Sequence, residues 1–381
     1  MQAGARSAVS GRDPWHTVTT CTARPKAVGA PVSWYATRES VKNALDIKDT
    51  ARSDAAVDDA LTAATDAVDG DTRRTFTPVL TTRRFDFPDA VMSTRTWRLW
   101  LQRNEIVSVT QLASGGRTIN PSQYIVRRAD NGDTAPFDCI EILLSGQATF
   151  GGGPTYQQDI QVTGWFGFGD DQRASGSLAA NAASGDGTVL VDATGSAAIG
   201  VGDLLTIGSE RLDVTGRRAA TTGTALSVDL AGTSAATAVT VAAPGIQPGE
   251  VITVGTERML VVDVVGAVLS VRRAWDGSVL AGHVSGDTVY AARLLTVDRA
   301  QRGTAAAAHT SATAVTRLRV PGLVEAYSRA HALSTLLNER SGYARTSGSG
   351  DNAQELRGTS LAVLRAQLRQ QYRRQAFSEA V

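Results

Sequence analysis

"IGVGDLLTIGSER", residues 199–211, returns as "IQPGEVITVGTER" at residues 246–258. The copies share glycine at 202/249 and 208/255, an acid at 203/250, threonine at 206/253 and the Glu-Arg pairs 210–211 and 257–258. Glycines at fixed offsets between alternating apolar residues predict hairpins whose turns need positive φ or close backbone approach. A second pair lies downstream: "AWDGSVLAGHVSGDTVY", residues 274–290, is echoed by "AQRGTAAAAHTSATAVT", residues 300–316, with Gly277/Gly303 and His283/His309 in matching places. From residue 170 to 319 the chain is dominated by Ala, Gly, Thr, Ser and Val. This reads as an all-β domain of duplicated hairpins, too irregular for a solenoid and with too few copies for a propeller.

Either side of it the periodicity changes. Residues 1–33, rich in Gly, Pro, Arg, Ser and Thr, carry no hydrophobic period and read as an extended arm. "TRESVKNAL" from Thr37 and "SDAAVDDALTAATDAVDGDTRR" from Ser53 have helical spacing with capping residues in front, and Arg73 and Arg74 close the second helix. Between Phe76 and Phe168 the period falls to two. "RRFDF", "TWRLWLQ", "VSVTQLA", "QYIVRR", "CIEILLS" and "DIQVTGWFGFG" are strand candidates, with "SGGRTINPS", "ADNGD" and "GGGPT" as turns. Helical spacing returns in "PGLVEAYSRAHALSTLLNERSG" from Pro321 and in a last helix beginning near Gln354. Helices, a small β-unit, a β-rich stretch and helices again is the order left by an insertion into a helical domain.

The composition narrows the functions. With 38 basic and 37 acidic side chains in 381 residues, the chain lacks the field of a dedicated nucleic-acid binder, so any DNA contact would be local. Cys21 and Cys139 are too few for a disulfide framework or a zinc site. With no long apolar run, a soluble intracellular product without membrane contact is expected. The four histidines (His16, His283, His309, His331) show no HExxH arrangement, and no Walker, CxxC or nucleophile-elbow pattern occurs. No catalytic residue, cofactor or metal is therefore expected, and the chain does not read as an enzyme. For His283 and His309 the expectation is architectural: each imidazole hydrogen-bonds a backbone carbonyl and fixes a bend, rather than sharing a metal.

The last helix is more pointed. Arg365, Arg369 and Arg373 recur every four residues beside Leu361, Leu364, Leu368 and Tyr372, and Glu355 is the only acid between Gln354 and Arg374. Such a row repels itself slightly. It is either a solvated basic face or the contact for an acidic protein or DNA phosphates. Phe377, just beyond it, suits an anchor in a neighbour's pocket.

Taken in order, "YATRESVKNALDIKDTARSDAAVDDALTAATDAVDGDTRRTFTPV", "RRFDFP", "LWLQRNEIVSVTQLASGGRTINPSQYIV", "IQVTGWFGFG" and "VPGLVEAYSRAHALSTLLNERS" resemble the head-to-tail connector, or adaptor, proteins of long-tailed bacteriophages. The likeness covers about Trp34 to Gly169 and Val320 to Ser341. It implies an α+β fold: a helical adaptor core with a small β-unit (34–169 and 320–381), interrupted by the β-rich repeat domain (170–319). It further implies a structural virion protein at the neck, made in the host cytoplasm and assembled as a ring, commonly of twelve subunits. The expected partners are the portal protein, a stopper or tail-completion protein, other copies of the chain, and genomic DNA passing without sequence-specific binding. By position, the portal contact falls on Arg365, Arg369, Tyr372, Arg373 and Phe377. The rival reading is a decoration or tail-tip protein whose β-modules bind a surface or carbohydrate; Trp275 is the only tryptophan in the repeat domain.

Overall fold

Thr37 starts the first helix: its hydroxyl accepts the Ser40 N–H at 3.2 Å and opens α1 (Arg38–Ala44). The computed structural model describes residues 33–45, 53–88, 95–128, 135–243, 245–340, 346–347, 354–355 and 359–374. Helix α2 (Asp54–Thr72) buries Val57, Leu61, Ala64 and Val68, a stripe at intervals of three and four, and ends at Arg73, whose left-handed φ of 55° stops it.

The segment after α2 alternates as expected and forms two small antiparallel sheets. Strands β1 (Val79–Phe85), β2 (Arg98–Trp100), β3 (Ile106–Ser114), β4 (Arg117–Ile119), β5 (Tyr124–Arg127), β6 (Cys139–Ile142) and β7 (Ile160–Phe166) pair in the orders β1-β7-β3-β4 and β2-β6-β5. Strand β4 lies inside "SGGRTINPS", which the sequence marks as a turn; only Gly115 and Gly116, both at positive φ, make the bend. The two sheets share one core, including Leu99, Ile106, Leu112, Ile140, Ile160 and Val162.

The repeats form one ten-stranded sheet. Its strands are β8 (Gln172–Ser177), β9 (Thr188–Leu190), β10 (Leu204–Ile207), β11 (Glu210–Ala225), β12 (Ala238–Thr240), β13 (Val251–Val254), β14 (Glu257–Val265), β15 (Val268–Arg272), β16 (Thr288–Asp298) and β17 (Ala314–Leu318), with α3 (Ala193–Ala198) between β9 and β10. The duplication is nested rather than tandem. The second copy, residues 217–293, emerges from the far end of a hairpin belonging to the first copy, residues 172–216 and 294–318. In the second copy the same hairpin, β14–β15, closes through Gly266 at φ 61°. In the first copy the turn is absent, and β11 and β16 run on together into the second copy, paired from Asp213↔Asp298 to Ala225↔Thr288 with three register shifts. The two cores match position by position: Leu178/Leu226, Leu205/Ile252, Leu212/Met259, Val214/Val261, Leu295/Leu269, Val297/Val271 and Val315/Val289. Each such side chain contributes roughly 1.5–3 kcal/mol by leaving water.

Helix α4 (Gly322–Arg340), a short pair β18 (Thr346–Ser347) and β19 (Gln354–Glu355), and α5 (Thr359–Tyr372) complete the chain. Helix α4 packs on α1 and α2 through Ala332 and Leu336, while Val324, Tyr327 and Leu368 join Tyr35, Val68 and Phe76 in a second apolar cluster.

The expected α+β fold built on a helical adaptor core is overturned. The chain is mostly β, 37% strand against 24% helix, with three large antiparallel sheets. The reason is physical. The alternating segment from residue 79 to 166 builds sheets with a core of their own, and the repeats merge into one continuous sheet, which leaves the helices as the smaller part.

Candidate functional site

The repeated histidines lead to two buried ionic nodes of the same design. Glu210, at the start of β11, and Glu257, at the start of β14, are wholly buried. Each follows a two-residue turn whose glycine, Gly208 or Gly255, sits at φ 60° or 57°, so the turn aims the carboxylate inward. Glu210 Oε1 accepts from Arg299 Nε at 2.8 Å and the Ala300 N–H at 3.1 Å. Its Oε2 accepts from Arg299 Nη2 at 2.7 Å, the Ala307 N–H at 3.1 Å and His309 Nε2 at 2.8 Å. Glu257 repeats the set: Arg273 Nε at 2.7 Å and the Ala274 N–H at 3.0 Å on Oε1, then Arg273 Nη2 at 2.8 Å, the Ala281 N–H at 3.2 Å and His283 Nε2 at 2.9 Å on Oε2.

The imidazoles therefore meet a carboxylate, not the backbone carbonyl expected from sequence. Because a carboxylate only accepts, Nε2 carries the proton in both nodes. The arginines also clamp carbonyls: Arg299 donates to Ala183 at 2.8 Å and Ala307 at 2.5 Å, and Arg273 to Ala231 and Ala236, both at 3.0 Å. Burial alone would raise the pKa of each glutamate, but the hydrogen bonds from arginine, histidine and backbone outweigh it and lower both to about 2. Five donors saturate each carboxylate. That chemistry is fastening, and among the described residues no group of three or more His, Cys, Asp or Glu is placed to hold a metal.

The same positions in the two copies differ where they face outward. Asp276 takes the Lys42 ammonium at 2.8 Å and Arg258 Nη1 at 2.8 Å, tying α1 to the nested copy. At the equivalent place in the first copy stands Arg302, which reaches Ser33 Oγ at 2.7 Å and lies 3.7 Å from Asp213. Glu39 of α1 accepts the Val201 N–H at 2.8 Å. Helix α1 thus contacts both copies.

At the C-terminal helix, the structure places an acid opposite the basic row. Asp71, near the end of α2, accepts from Arg365 Nε at 2.7 Å and Nη2 at 2.9 Å, and from Arg369 Nε at 3.0 Å and Nη2 at 2.5 Å. Asp71 is buried while the two arginine side chains remain 52% and 42% exposed, so they can still meet a partner. The arginine hydrogen bonds outweigh the burial penalty and lower the Asp71 pKa. Tyr372 packs edge-on against Phe76 and Phe168, with ring centres 5.7 and 5.5 Å apart. Arg373 is exposed. Phe377 and His16 lie outside the described residues. Sequence reasoning missed Asp71 and the two glutamates; the Glu-Arg repetition was the available signal for the latter.

No family model, curated protein or solved structure matches the chain.

Proposed function

We propose that the chain is a structural virion protein, a head-to-tail adaptor that assembles as a ring beneath the portal, extends the DNA channel and joins capsid to tail. The reading rests on the order of motifs and on one structural observation: helices from the two ends of the described chain close on each other. Asp71 with Arg365 and Arg369, and Phe76 with Tyr372, hold α5 against the body of the protein. Helix α5 then presents Ala362, Val363, Ala366, Gln367 and Gln370 to its surroundings, with the exposed Arg373 just beyond its end. Of the residues assigned to the portal, Arg365, Arg369 and Arg373 remain exposed beside this face, whereas Tyr372 packs into the body and Phe377 lies outside the described residues; in this reading the nested sheet projects away from the channel. The test is electron microscopy of the full chain with and without the portal. Rings on the portal, lost in a Val363→Glu/Arg373→Glu variant with unchanged circular dichroism, are expected; failure of the wild-type chain to bind the portal would overturn the reading.

A second reading, a decoration or tail-tip protein that binds a surface, draws on the nested copy, where Val228, Val279 and Val284 are 58%, 75% and 61% exposed. Portal-independent binding of the full chain to capsids or a glycan array would favour it.

A further inference from the structure

The edge strand β2 and the turn before it carry cations beside indole rings. Arg95 lies over Trp97, with its guanidinium carbon 5.8 Å from the ring centre. Arg98 lies between Trp97 and Trp100, at 5.1 and 5.5 Å from the two rings. Glu141 on the neighbouring strand holds Arg98 from below and lies 3.9 Å from Arg127 Nε. A buried counterpart shows what such a pair does when it is only structural: Arg211 sits 4.3 Å from the Trp165 ring centre and is 3% exposed. The β2 stack is different because its last ring, Trp100, is 39% exposed.

More positive charge borders the open ring. Arg103 is exposed at the tip of the turn that follows β2, closed by the Asn104 N–H on the Leu101 carbonyl at 2.8 Å. The end of α5 arrives at the same turn: Arg374 Nη2 donates to the Gln102 carbonyl, and the exposed Arg373 precedes it. Glu141 pairs with Arg98, and Glu105 lies 3.3 Å from Arg74 and 4.0 Å from Arg374, with Asp138 next to it on the neighbouring strand's edge, while Arg103 and Arg373 stay exposed. A complementary ligand must bring several anionic groups and a flat π face together. An acidic peptide without aromatic side chains brings only the first, and a double helix keeps its ring faces inside the stack. An unpaired nucleic-acid strand brings both, since each base offers a π face beside a phosphate.

We infer that this surface binds a single strand of nucleic acid, with a base on the open face of Trp100 and phosphates at Arg103, Arg127 and Arg373. The inference shares Arg373 with the adaptor reading, but it is tested at Trp100 and Arg103, whereas the adaptor reading stands or falls on portal binding.

The test is fluorescence anisotropy of the full chain with labelled oligothymidylate, the same-length duplex and heparin as separate arms. Oligothymidylate is expected to bind most tightly. Trp100→Ala should weaken it on the order of tenfold with an unchanged salt slope, and Trp100→Phe should restore most of the loss. Arg103→Ala, at an exposed turn, should leave the fold intact and lower the salt slope by about 0.7. No oligothymidylate binding at low salt, or heparin or duplex binding at least as tightly, would overturn the inference. Equal affinity of Trp100→Ala, with its circular dichroism unchanged, would do so as well.

Discussion

The two copies of the β-module have the same core and the same ionic node, yet they present different surfaces and hold different places in the hierarchy. In the nested copy Val228, Val279, Val284 and Tyr290 are exposed; the equivalent positions of the first copy hold Ala180, Ala305, Thr310 and Thr316. Among the described residues, the first copy exposes no large hydrophobic side chain. What is kept in both is what holds each module closed. What has diverged is what each shows to the outside, so the nested copy is the one equipped to meet another surface.

The hierarchy makes the comparison breakable. The largest effect is expected at Glu210. Removing one member of a buried ion pair costs roughly 3–5 kcal/mol, and Glu210→Ala strips the node of the copy on which the other is mounted. Hydrogen exchange should show the first copy, residues 172–216 and 294–318, loosened. Glu257→Ala, with the same local loss, should loosen residues 217–293 and spare β8, β10 and β17; equal spreading from both sites would refute the hierarchy.

Acid should act on both copies together. A glutamate with a folded pKa of about 2 contributes stability that is complete above its unfolded value, near 4.3, and is lost as pH falls through the folded value. Stability should therefore decline between about pH 5 and 2, and Glu257→Gln should flatten the part belonging to the nested copy, as measured by urea melts across pH. Smaller still, His283→Ala and His309→Ala should each cost about 1.5–3 kcal/mol, the value of a hydrogen bond to a charged group. Chelators should leave both variants and the parent unchanged; a melting temperature that falls with chelator would mean the imidazoles hold a metal. The smallest effect belongs to excision. Replacing residues 219–293 by Gly-Ala, the turn that β14–β15 already uses, should return a folded chain whose first copy melts as before.

The sequence made the hairpins legible because glycines and charges recur at fixed offsets, and it made α1, α2, α4 and most strands legible through their periods. Nesting was not, because it depends on β11 pairing with β16 across a whole intervening module. The nodes were hidden for the same reason. Glu210 lies 89 residues from Arg299 and 99 from His309, although in the nested copy Glu257 is only 16 and 26 from its partners. Asp71 is 294 residues from Arg365, so the basic row of the last helix looked unpartnered. The helical bias of the expected fold came from reading the two ends of the chain as the frame, when the strands between them are its larger part.

The long β11–β16 pair also permits an order of events on the ribosome. Residues 217–293 emerge as one contiguous stretch and can close before β17 has been made. Once closed, they bring Gly216 to Thr296, a contact that a free chain would reach only by shutting a long loop at an entropic cost that grows with its length. The nested copy thus serves as a folding clasp for the copy that carries it.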